Sequence, residues 1–97
     1  MLGDLQKELV RIWHEVSAVM EAANPALTKR TEMIMATIRL GLIEMEFRAE
    51  QDPEKRKGCI NAFWARRNEI GKVIAGYRRQ IEERNIHPQQ ESRRAVS

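Results

Sequence analysis

Asn24-Pro25-Ala26-Leu27-Thr28-Lys29-Arg30-Thr31-Glu32-Met33-Ile34-Met35-Ala36-Thr37-Ile38-Arg39-Leu40-Gly41-Leu42-Ile43-Glu44-Met45-Glu46-Phe47-Arg48-Ala49-Glu50-Gln51-Asp52-Pro53 opens and closes on the same mark. At each end an Asn or Asp, a good N-cap, precedes a proline placed to open a helix, where its missing N–H has no intrahelical partner anyway. The two marks divide the chain into three helical segments, expected at about 4–23, 25–50 and 53–85. At ~100° per residue, Leu27, Ile34, Ile38, Leu42, Met45 and Ala49 fall on one side of the middle segment. Met33, Ala36, Leu40, Ile43 and Phe47 fall on roughly the opposite side. Polar strips run between them, one of Arg30, Thr37, Glu44 and Arg48, the other of Glu32, Arg39 and Glu46. A helix with two apolar faces needs covering on both, which predicts a central position for it.

Working outward, the first segment carries Leu5, Leu9, Ile12, Val16, Val19 and Ala23 at alternating spacings of four and three, an a/d seam. Trp13 and Met20 lie beside that seam and widen it. The third segment repeats the pattern with Ile60, Phe63, Ile70, Ile74, Tyr77 and Ile81, and Arg67 stands where an apolar residue is expected. Arg67 is therefore expected to pair with a glutamate of the first segment or to carry its charge out along its stem. Gly71 and Gly76 each cost about 0.5–1 kcal/mol relative to Ala in a helix, and mark either close packing, a bend or mere tolerance. Residues 87–97 read as a polar, flexible tail.

Alternating β-branched runs and Asn-Gly or Asp-Gly hairpin turns are absent from the sequence. With 97 residues, 42% hydrophobic and 32% charged, the chain has the length and composition of one globular domain, spanning 1–86. The expected fold is all-α, a three-helix antiparallel bundle joined by short loops. Trp13 and Trp64 add apolar surface beyond the seams, so dimerisation into a larger helical bundle is expected. Met1-Leu2-Gly3-Asp4 has no basic or apolar leader, and charges interrupt every apolar run, so the expectation is a cytoplasmic chain without a membrane span.

Catalytic groupings are not visible. His14 and His87 lie far apart, and His14-Glu15-Val16-Ser17-Ala18 lacks the second histidine of a zinc helix. Neighbouring carboxylates such as Glu44 with Glu46, or Glu82 with Glu83, do not face each other on a helix. Cys59, the single cysteine, reads as a small core residue, and His14 as a boundary residue. Neither enzymatic activity nor a cofactor or metal is expected.

Binding remains. The expected function is a small regulatory or adaptor protein acting through helix-mediated protein contacts, with Trp13, Met20, Met33, Leu40, Phe47 and Trp64 as its interface. The alternative is nucleic-acid binding by the third helix. The net charge of +3 is uneven: residues 1–24 sum to −2 and residues 52–86 to +4. Lys57, Asn61, Asn68, Lys72 and Arg79 recur at helical spacing, and such a stripe can meet phosphates and base edges. Thr28-Lys29-Arg30-Thr31-Glu32-Met33-Ile34, followed by Ala36-Thr37-Ile38-Arg39, resembles the second helix of ribbon-helix-helix DNA-binding proteins. That family reads DNA with a strand ahead of its first helix, and this sequence departs from the family there, so the resemblance supplies no reading element.

Overall fold

In the computed structural model, the backbone is described for residues 3–96 and the side chains for residues 3–85. The chain forms α1 (Asp4–Ala23), α2 (Leu27–Ala49) and α3 (Pro53–Val96). Each helix packs against both others, so the bundle is triangular and α2 does not take the central position that its two-faced pattern suggested. α3 runs past the expected end at Asn85, to Val96. The expectation of a flexible tail over 87–97 falls outside the residues whose side chains are described.

The two proline marks resolve differently. Asp52 caps α3 as expected, its Oδ1 accepting the Glu54 N–H at 3.1 Å, with Pro53 as the first helical residue. Asn24 instead closes α1. It adopts the left-handed conformation, φ 45° and ψ 57°, which Asn tolerates better than most residues, and its N–H donates to the Met20 carbonyl. α2 then starts two residues later than expected, at Leu27, with Ala26 as its cap.

Long arginines of α3 finish the other helix ends. Arg56 donates to the Phe47 and Glu50 carbonyls at 2.9 and 2.8 Å and lies 4.0 Å over the Phe47 ring. Arg84 donates to the Ala23 carbonyl at 2.8 Å. Both satisfy carbonyls that have no acceptor role left inside their helices, and both place a cation at a helix C-terminus.

The core is aliphatic. Leu5, Ile12, Val16, Val19, Met20 and Ala23 come from α1, Met33 and Leu40 from α2, and Phe63, Ile70 and Ile74 from α3. The seams read for α1 and α3 are thus the buried ones. On α2 the buried side is Met33, Thr37, Leu40 and Glu44, so one of the expected polar strips turns inward. Both of its polar groups find partners one turn away. Thr37 Oγ1 donates to the Met33 carbonyl at 2.9 Å, and Glu44 accepts from Arg48 Nε at 2.7 Å.

Arg67 does reach α1. Its Nε donates to Glu8 Oε1 at 2.7 Å, and Arg11 donates to the same oxygen at 2.7 Å. Gly71 makes room for this: a Cβ there would stand 2.9 Å from Arg67 Nη1. A Cβ at Gly76 would meet nothing within 4 Å, so that glycine is simply tolerated. Burial pushes the Glu8 carboxyl pKa up, but the hydrogen bonds and positive charges of Arg11 and Arg67 outweigh it and hold the pKa below its usual 4.5.

A folded pKa below the unfolded one means that this stabilisation is complete above the unfolded value and is lost as pH falls through the folded value. Glu8→Gln is therefore expected to lower stability at pH 7 by about 1–3 kcal/mol, the scale of charged hydrogen bonds. In thermal unfolding across pH 7 to 3, the gap between the variant and the native chain should close below pH 4.5. A gap that is constant with pH would show that the Glu8 charge is not what stabilises the α1–α3 contact.

Candidate functional site: an uncovered face on α1 and α2

The bundle covers only one of the two apolar faces of α2. Met33, Ala36, Leu40, Ile43 and Phe47 are buried or pack against the core. The opposite face is open to solvent: Leu27 is 77% exposed, Ile38 44%, Leu42 52% and Met45 55%, with Ile34 also exposed. α1 continues this surface through Val10 and Trp13, both nearly half exposed. Trp13 sits between two shallow grooves, one shared with Ile34 and Met20, the other with Val10, Leu9 and Ile38. Gly41 lines the second of these grooves, where a Cβ would meet Leu9 Cδ2 at an ordinary contact distance of 3.7 Å.

These side chains form one apolar surface across α1 and α2. From their exposed fractions, Val10, Trp13, Ile34, Ile38, Leu42 and Met45 present roughly 500 Å², toward the top of the ~300–600 Å² typical of the largest patch on a monomer. No charged side chain lines the groove beside Val10 and Ile38.

The residues of the expected interface divide between core and surface. Met20, Met33 and Leu40 are core residues, with Leu40 fully buried, and Phe47 lies half-buried under Arg56. They are already used by the fold. Trp13 belongs to the open surface. Trp64 is 39% exposed on α3, edge-on to Phe63 with ring centroids 5.7 Å apart, and is not among the residues lining the α1–α2 grooves. Val10, Ile34, Ile38, Leu42 and Met45 are exposed apolar residues that the expected interface did not include. The period-3.6 pattern grouped the α2 members together, but periodicity assigns equal standing to both faces of one helix.

Family models, curated proteins and solved structures give no match to this chain. The reading of its surfaces therefore rests on their physics.

The α3 stripe is solvent-facing throughout: Lys57, Asn61, Asn68, Lys72 and Arg79 are all exposed. Its positive charge is partly spent within the chain. Glu69 holds Lys72 at 3.3 Å, while Glu15 of α1 faces Arg78 at 4.0 Å and Glu8 takes Arg67. The charge asymmetry seen in the sequence thus joins an acidic α1 to a basic α3. Asn68, Lys72 and Arg79 share one open concavity with Glu15, Glu69 and Glu82, so carboxylates are interleaved with the cations.

His14 is exposed and Cys59 half-buried as a free thiol. Among the described residues, no three His, Cys, Asp or Glu side chains gather in a metal-binding group. No described helix is long and apolar enough to cross a membrane.

Proposed function

We propose that this chain is a small non-enzymatic regulatory or adaptor protein that acts through helix-mediated protein contacts, and that two copies join across the α1–α2 face. The observation that carries the reading is the uncovered row Ile34, Ile38, Leu42 and Met45 beside Trp13. A standard interface takes ~800 Å² from each partner, of which about 60% is apolar. The exposed apolar area of this face is of that size. A two-fold arrangement would lay the α1–α2 pair of one copy on that of the other, which extends the three-helix bundle without a new fold. Trp13 is the natural anchor: large, about half exposed, and flanked by a groove on either side.

Size-exclusion chromatography with light scattering tests this, run with and without a random-sequence DNA duplex at low and moderate salt. The expected mass is twice 11.3 kDa at both salts, unaffected by DNA. A monomer at tens of micromolar would remove the dimer. The exposure of Lys57 and Arg79 favours a second reading, nucleic-acid binding by α3, which predicts a shift onto DNA that fades steeply as salt rises. The carboxylates interleaved with that stripe weigh against it.

A further inference from the structure

On the side of α2 away from α1, a second groove of about 410 Å³ runs between α2 and α3. Met33, Ala36, Ile70 and Val73 line it, with Tyr77 at one end. Charged side chains of both helices line it as well. Of these, Glu32 lies 3.6 Å from Lys29 and Glu69 3.3 Å from Lys72, both in solvent-exposed pairs. Arg39 on α2 and Arg66 on α3 also line the groove, and neither makes an ion pair among the described residues.

The two arginines belong to the same end. Arg39 lies ten residues before the last residue of α2 and Arg66 thirteen after the first of α3. At 1.5 Å per residue, both stand roughly 15–20 Å from the connecting turn. Lys29 and Tyr77 lie at the far end, so the groove is about 15 Å long, close to three turns of helix.

We propose that this groove docks one amphipathic, acidic helix from a partner protein. The inference rests on the reading that the chain works through helix-mediated contacts, and it names the chemistry of the partner. An apolar lining of helical length accepts the i, i+3, i+4, i+7 stripe of such a helix. The unmatched guanidiniums at one end take its carboxylates and set its direction, since Arg forks pair bidentately with carboxylate. A helix seated here becomes the fourth of a bundle and stays clear of the α1–α2 face.

The test uses two synthetic peptides of about 18 residues with the same leucine stripe. One is flanked by glutamates and the other by lysines, and each is titrated by fluorescence anisotropy into the full chain. The glutamate peptide should bind at least tenfold more tightly, and the preference should invert in the double variant Arg39→Glu/Arg66→Glu. Methyl NMR signals of Ala36, Ile70 and Val73 should shift on binding, while those of Ile38 and Leu42 stay in place.

Equal affinity for both peptides, or a preference unaffected by the charge reversal, would overturn the charge assignment. Perturbation confined to Ile38 and Leu42 would move docking to the other face and overturn the groove. Dissociation of the dimer by Arg39→Glu/Arg66→Glu would make the groove a self-association surface, with the same consequence. A dimer that persists while neither peptide binds would reject the groove and leave the α1–α2 reading standing.

Discussion

Ile38→Glu combined with Leu42→Glu is expected to convert the dimer into a folded monomer. Both side chains sit on the uncovered face of α2, about half exposed in the single chain, so glutamate there costs the monomer little. In the dimer the same positions would place four carboxylates in an apolar interface, where unpaired charge is strongly unfavourable. Interface hot spots contribute about 2 kcal/mol or more each, so the dimer Kd should rise by at least ~100-fold. Light scattering should give the 11.3 kDa mass at concentrations where the native chain is paired, with the helical circular dichroism unchanged. Retention of the dimer by a folded variant would show that these residues do not form its interface. Loss of the helical signal would show instead that the face belongs to the fold, and Ile38→Ser/Leu42→Ser would then probe the contact with less disturbance.

Phe63→Ala is expected to have the largest effect on the fold itself. Phe63 is fully buried, packs edge-on to Trp64 and belongs to the same core cluster as Ile12, Leu40 and Ile74. Truncating such a phenylalanine costs about 3–5 kcal/mol through lost burial and the cavity left behind. A domain of this size holds roughly 5–15 kcal/mol in total. At ~4–8 °C per kcal/mol, the thermal midpoint should fall by about 12–40 °C. Trp64→Ala should cost far less, since 39% of that side chain is already in water. A similar loss from both would mean that the core does not centre on Phe63.

The contrast between these two experiments follows from how the residues divide between fold and surface. The seams of α1 and α3 were legible because each apolar row is single, and a single row on a helix has only one way to face a core. Arg67 was legible as a charge needing a carboxylate, and Glu8 supplies it. The Asp52-Pro53 start of α3 was legible because the Asp oxygen satisfies an N–H that the helix leaves free. Asn24-Pro25 looked the same but acts at the other end of a helix, because Asn serves both as an N-cap and as a left-handed C-cap. The amino-acid type alone cannot separate those roles.

For α2, a local pattern could not choose. Its buried side includes Thr37 and Glu44, whose partners Met33 and Arg48 lie four residues away on the same helix. That spacing was present in the sequence and, with hindsight, marks a polar strip able to turn inward at low cost. Leu40 and Leu42 look equivalent by composition, yet one is fully buried and the other half exposed.

By itself the sequence determined three helices, the approximate ends of α1 and α2 and the start of α3, the seams of α1 and α3, and two apolar faces on α2. All of these are properties of one helix at a time, set by capping chemistry and by a period of 3.6 residues. Only the tertiary structure decided that the bundle is triangular, that the Met33–Leu40 side of α2 enters the core, and that Ile38, Leu42 and Met45 are left with Trp13 as an open surface. The physical reason is that three helices enclose a single shared interior. How far each rotates to fill it depends on the combined side-chain volume and polar pairing of all three, which the pattern along any one of them does not contain.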